Sequence, residues 1–285
     1  MHRRAFLTSV GATGLLAAGG MLSACGSAGG SPVPSGDPEL NVLRGSFELL
    51  RGQNQRFMFS LTTIDNQSIA DDGVEVYVSD VDGEIRGGPF PAEISDDGEM
   101  PRPVYRASID VEQEGPTSLV VVAGDRHGES VLEVTDPERS VVPAPGDPAI
   151  PAATPTADEP GDAETLCTRE PDCDMHEVSL ADALDEGRPA LLLFATPAFC
   201  QTAVCGPVVD VLEQVRQSGG WGDLAFIHCE IFQDAGETVL SAVEEWGLPT
   251  EPWLFGIDRD GRVHARLDGP MLGDELQRLA ESLRA

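Results

Sequence analysis

The 285-residue chain contains no lysine: its 18 basic residues are arginines, set against 49 aspartates and glutamates for a net charge of −31. Such an excess of acid makes nucleic acid and anionic membrane surfaces poor partners. It fits a solvated surface adapted to high salt. Beyond residue 24 the sequence also lacks any apolar run near the ~18 residues that a membrane-spanning helix needs. The part after residue 24 therefore reads as soluble. Cysteine is absent from residues 26–166, so whatever folds there holds together by apolar packing without a disulfide. No internal repeat is visible, which excludes solenoid and propeller architectures.

What is present begins with an export pattern. Arg3-Arg4-Ala5-Phe6-Leu7 resembles a twin-arginine signal, and an apolar Gly/Ala-rich stretch follows to about Leu22. Leu22-Ser23-Ala24-Cys25 then resembles a lipobox, whose cysteine is acylated and becomes the new N-terminus. The resemblance implies a signal peptide over 1–24, lipid on Cys25 and a place on the outer face of the cytoplasmic membrane. The membrane is then met only through the lipid. Residues 25–38 are small and flexible, as in a tether.

From 39 to 140 the pattern is of short strands. Phe57–Leu61, the alternating Val74, Val76 and Val78, Tyr105 to Val111, and Leu119–Val122 are separated by Gly, Asp, Asn and Pro. About seven strands in ~100 residues predict an all-β, immunoglobulin-like sandwich. Six prolines between 141 and 163 predict an extended linker separating two domains.

Residues 164–285 alternate strand and helix. Ala190–Phe194 reads as a buried strand and Val204–Val215 as an amphipathic helix. Leu224–Phe232 is a second strand, followed by a helix through Val239–Trp246 that Gly247 can stop. Asp258-Arg259-Asp260-Gly261 joins two further strands as a hairpin, and leucines 272, 276, 279 and 283 mark a closing helix. The order βαβαββα, with Phe194-Ala-Thr-Pro-Ala-Phe-Cys200 after the first strand and Glu251-Pro252 before the third, resembles the thioredoxin fold. The resemblance implies a nucleophilic cysteine at Cys200, a resolving one at Cys205, and a cis-proline at Pro252 facing them. Trp253, directly after that proline, reads either as lining a substrate groove beside Glu251 or as packed core, and no cofactor is expected.

The Cys-x4-Cys spacing departs from the Cys-x2-Cys of ordinary thioredoxins. Were 200–205 regular helix, the two Cα atoms would lie about 8.6 Å apart, beyond the ~7 Å reach of a disulfide. Cys200 must therefore precede the helix, or the first turn must unwind on oxidation. One peroxiredoxin branch has a similar spacing but wants Thr or Ser three residues before the nucleophile; here 197 is Pro and Thr196 comes one place early.

Cys167 and Cys173, in an oxidising compartment, are expected to close a small structural disulfide. With His176, or with Cys200 and Cys205, they offer instead a copper site of the kind found in Sco-type proteins. His228 and Cys229 fall in one strand and so point to opposite faces, which places Cys229 in the core. His127 and His264 read as surface residues. The function expected is a membrane-tethered thiol–disulfide oxidoreductase acting on thiols or disulfides of exported proteins. The rivals are a thiol peroxidase, a copper-binding protein, and a non-catalytic interaction lipoprotein whose cysteines are staples.

Overall fold

A computed structural model describes residues 33–96 and 98–284. The export signal, Arg3, Arg4, the lipobox and Cys25 lie outside the described residues. Residues 33–285 form one compact unit. No helix among the described residues is long and apolar enough to cross a membrane.

The first half is built from β1 (Leu40–Arg44), β2 (Leu49–Leu50), β3 (Gly52–Thr63), β4 (Ser68–Ile69), β5 (Glu75–Ser79), β6 (Ile85–Ser95), β7 (Val104–Val111), β8 (Gly115–Ala123) and β9 (Arg126–Thr135). These nine strands, not seven, form one hydrogen-bonded sheet in the order β1-β3-β7-β6-β5-β8-β9-β2, with β4 on β3. The long β6 explains the continuity: its first part pairs with β5 and its last residues, Ala92–Ser95, with β7. Alternate residues of β3, β7, β5 and β8 turn inward, so that Phe57, Phe59, Tyr105, Ile109, Val76, Leu119 and Val121 share one buried core. His127 is buried on β9 and is not the surface residue expected.

The second half comprises α1 (Leu180–Asp185), β10 (Ala190–Phe194), α2 (Cys205–Ser218), β11 (Ala225–Cys229), α3 (Ser241–Trp246), β12 (Trp253–Ile257), β13 (Val263–Asp268) and α4 (Gly273–Ser282). The sheet order is β11-β10-β12-β13, with β10 parallel to β11 and antiparallel to β12. Every residue of β10, β11 and β12 is buried because both faces are covered. Leu191, Leu193 and Leu254 pack with α2 and α4, while Leu192, Phe194, Ile227 and Phe255 pack with α1 and α3. Local chemistry sets the ends of these elements. Ser179 caps α1 by accepting from Asp182 N–H, Gly247 stops α3 at φ 63°, and Asp258 accepts two backbone N–H groups in the β12–β13 turn.

The proline-rich segment 141–163 is not the free spacer that its composition predicts. Val142, Ala152 and Thr154 are buried, and the chain lies along β13 through Gly146 N–H to Val263 O at 2.7 Å and Ala149 N–H to Gly261 O at 2.8 Å. Proline removes donors but leaves carbonyls and small apolar side chains, and these suffice to dock an extended edge.

The two halves also share a built junction. Arg56 on β3 donates to Glu275 at 2.9 and 2.5 Å and to the Asp268 carbonyl at 2.7 Å. Arg266 donates to Glu48 at 2.6 Å, Arg106 to Asp274 at 3.0 Å, and Asp268 accepts the backbone N–H of Phe47 and of Glu48. Met58, Met100 and Val104, all from the β half, join the apolar cluster of α2 and α4.

Gly269 marks the closest approach. Its φ is +67°, and a Cβ there would stand 2.0 Å from the Gly45 carbonyl oxygen. Backbone lies on both sides of this contact, so Gly269→Ala is expected to lower stability by more than the ~1–2 kcal/mol that a left-handed non-glycine residue costs. A urea midpoint within error of wild type would contradict this account of the junction.

Candidate functional site

The chain leaves β10 at Phe194 and reaches Cys200 through a turn, and only at Cys205 does α2 begin. Of the two arrangements that the Cys-x4-Cys spacing allows, the structure has the first: Cys200 precedes the helix. Residues 201–204 are not helical, and Ala203 takes a φ of +60°, which swings the chain back over the helix start. Cys200 is half-buried and Cys205 completely buried beneath it. The sulfurs of both lie with a Glu251 carboxylate oxygen inside a 4.8 Å group.

Electrostatics separates the two thiols. Cys200 is lowered to about 5, chiefly by the hydrogen bond from the Cys205 thiol, with help from the Thr202 hydroxyl, at 3.3 Å, and from backbone N–H groups of Thr202 and Cys205. Burial opposes this shift and is outweighed. Cys205 moves the other way, because its proton is held in that same hydrogen bond and its surroundings are apolar. Glu251 is raised by burial and by the facing Cys200 thiolate. The site therefore holds one accessible thiolate, one protonated thiol beneath it, and a carboxyl group that takes up protons more readily than usual.

Pro252 follows Glu251 through a cis peptide bond and leads into β12. Of the two readings of Trp253, groove or core, the structure has the core: it is 1% exposed. Strand alternation turns it to the face opposite Leu254, where it stacks on Phe255 at 6.1 Å and donates to Thr250 Oγ1 at 3.2 Å. Arg266 lies over its ring at 5.4 Å. The exposed aromatic beside the thiolate is Phe199, which meets Phe232 edge-on at 6.1 Å. No sequence pattern singles it out beyond its place next to Cys200.

A cleft of about 190 Å³ opens between the halves next to this turn. Its walls include Thr202, Ala203 and Val204 on one side and Leu43, Phe47 and Arg102 on the other. The β half thus forms part of the surroundings of the cysteine turn.

The expected disulfide between Cys167 and Cys173 is not formed. Their sulfurs are 3.7 Å apart, well over the ~2.05 Å of a bond, and two histidine rings crowd the pair. Cys229 is buried on the other face of β11, as strand alternation requires, and His264 is exposed.

The strand order, the helices on both faces, the cysteine turn after the first strand and the cis-proline before the third define a thioredoxin-like fold for the C-terminal half. Among solved structures, this chain is similar to a DsbE-type thiol:disulfide interchange protein from Chlorobium tepidum, at 16% identity over 50% of this chain and 98% of that one, with a TM-score of 0.35. A thioredoxin-family thiol:disulfide interchange protein from Chlorobium tepidum TLS gives 15% identity over 50% and 99%, also at 0.35. The Lin-41 filamin domain gives 12% over 34% of this chain and 92% of that one, at 0.24. No protein-family description and no curated protein matches the chain.

Proposed function

We propose that the protein is a thiol–disulfide oxidoreductase that exchanges disulfides with exported proteins while tethered to the outer face of the cytoplasmic membrane through Cys25. The observation that carries the chemistry is the division of labour at the cysteine turn: a half-exposed Cys200 thiolate lies above a buried, protonated Cys205. A thiolate attacks a disulfide sulfur along the S–S axis. Cys200 is the sulfur that a partner can reach. The attack forms a mixed disulfide and expels a partner thiolate, which a proton from solvent or from Glu251 neutralises. Cys205 then passes its proton to Glu251 or solvent and attacks Cys200 Sγ, which breaks the Cys200–partner S–S bond, expels the second partner sulfur as a thiolate that solvent protonates, and leaves the Cys200–Cys205 disulfide. Run backwards, the same steps oxidise a partner dithiol.

The cleft lined by Thr202–Val204 supports an extended partner segment lying across the turn. The lipid tether rests on the Leu22–Cys25 pattern alone.

Cys205→Ser should trap partners as mixed disulfides through Cys200, and Cys200→Ser should trap none. Diagonal gels of exported proteins, run without and with reductant, read the result. A Cys205→Ser protein that captures nothing, while remaining folded, would leave the cysteines as structural staples and end this proposal.

A further inference from the structure

Away from the cysteine turn, four side chains converge that the proposed reaction does not use. Cys167, Cys173 and His176 come from the loop ahead of α1, and His228 comes from β11; all four are buried. The loop is held against the strand by the backbone N–H of His228, which donates to the Met175 carbonyl at 2.9 Å. One ligand atom from each residue lies inside a 4.8 Å group. The individual spacings are 3.7 Å between the sulfurs, 3.3 Å from Cys173 Sγ to His176 Nε2, and 3.3 and 3.7 Å from Cys173 and Cys167 to His228 Nδ1.

A tetrahedral zinc ion with bonds of ~2.3 Å to sulfur and ~2.0–2.1 Å to nitrogen requires edges of about 3.8 Å between sulfurs and about 3.6 Å between sulfur and nitrogen. The observed spacings match these within a few tenths of an ångström. The Cys173 sulfur stands at the centre of the cluster, with three polar neighbours within 3.7 Å. A disulfide does not fit the cluster, since it would leave the lone pair of buried His228 Nδ1 facing sulfur atoms with no proton to give.

Tautomer control adds to the case. His228 Nε2 lies 3.0 Å from the Ala195 carbonyl, a partner that can only accept, so this nitrogen carries the proton and Nδ1 presents its lone pair to the cysteines. A protein ligand to zinc is held in this way.

We propose that Cys167, Cys173, His176 and His228 bind one zinc ion in a closed, four-coordinate structural site. Four protein ligands leave no open position, so the site holds shape and does no chemistry. Two thiolates balance the charge of the divalent ion, which makes the complex neutral and suits it to burial. Any thiol protons are released to solvent on binding. The two-sulfur, two-imidazole donor set suits zinc better than calcium or magnesium, which take oxygen ligands.

The site also props the reactive turn. Thr168, next to Cys167, accepts the Ala198 N–H at 3.0 Å through its hydroxyl and donates from that hydroxyl to Glu230 at 2.7 Å. Ala198 stands two residues before Cys200.

Full-length protein, purified under reducing conditions and exchanged into metal-free buffer, should take up one zinc per chain when titrated with zinc alone. The Cys200→Ser/Cys205→Ser double variant should retain that stoichiometry, whereas Cys173→Ser and His228→Gln should lose it. Because loss of a ligand can itself unfold a protein, X-ray absorption at the zinc edge of the double variant gives an independent reading. Its first shell should contain two sulfurs at ~2.3 Å and two nitrogens at ~2.0–2.1 Å. No zinc uptake by the folded protein, uptake abolished in the double variant, or a shell without two sulfurs would each overturn the site.

Discussion

Replacing Arg56 with Ala is expected to cost about 3–5 kcal/mol, the range measured when one partner of a buried ion pair is removed. Arg56 and Glu275 are 15% and 8% exposed at the side chain, and the guanidinium also serves the backbone carbonyls of Asp268 and Pro270. Alanine leaves the Glu275 carboxylate without its main cation in a place that water barely reaches, and leaves two carbonyls short of a donor. Total stabilities run to only about 5–15 kcal/mol. The loss should therefore separate the halves before either melts, turning one denaturant transition into two. Tryptophan fluorescence reports the C-terminal half alone, since Trp221, Trp246 and Trp253 all lie there, while circular dichroism reports both. Coincident transitions at the wild-type midpoint would show that the junction contributes little.

A second large effect is expected in the pH dependence of Cys200 alkylation. With its pKa lowered to about 5, the rate should pass its midpoint near that pH and level about one to two pH units above it, where a free thiol near ~8.5 keeps gaining. At pH 5.5 the thiolate fraction exceeds that of a free thiol by roughly 700-fold. A less basic thiolate is also a weaker nucleophile, by about 40-fold for such a shift. The net advantage is thus ~20-fold at pH 5.5 and close to nothing at pH 7. The midpoint of the profile identifies the site, and the rate at neutrality does not.

Cys205→Ala should move the midpoint upward, because the Cys205 thiol is the largest contributor to the lowering. A midpoint that stays near 5 would assign the effect to Thr202 and the backbone instead. The sign of the linkage follows. A depressed thiol pKa stabilises the reduced protein fully above the ordinary thiol range, and this contribution is lost as pH falls through about 5. Favouring the reduced form makes the disulfide the stronger oxidant.

Much of the C-terminal half was legible because its signals are local. The five-residue apolar run Ala190–Phe194 is β10, Gly247 ends α3, and the Asp-Gly turn joins β12 to β13. The apolar spacing that starts at Val204 marks the helix that begins at Cys205. The β half was legible as strands but not as their number or connection, since short strands such as Leu49–Leu50 and the shared role of β6 depend on pairing.

What stayed hidden depends on contacts between distant residues. Arg56 meets Glu275 across 219 positions, and nothing near either one marks it as a partner. The docking of 141–163 was masked by prolines, whose usual reading is an exposed linker. His228 could be assigned a face by alternation, yet only the folded loop shows that Cys167 and Cys173 occupy the same face. The position of Trp253 beside Pro252 allows groove or core alike, and only the pleat of β12 decides by turning it inward.

The cleft between the halves draws its walls from two parts of the chain, and for the proposed reaction this separates two properties that a single domain would tie together. The electron chemistry resides in Cys200, Cys205 and the groups that hold their protons. Leu43, Phe47 and Arg102 line the cleft from the side of the β half. Under the proposed function, substitutions along that wall would change which partner segments fit while leaving the cysteine pair unaltered, so that selectivity and driving force could evolve at different rates.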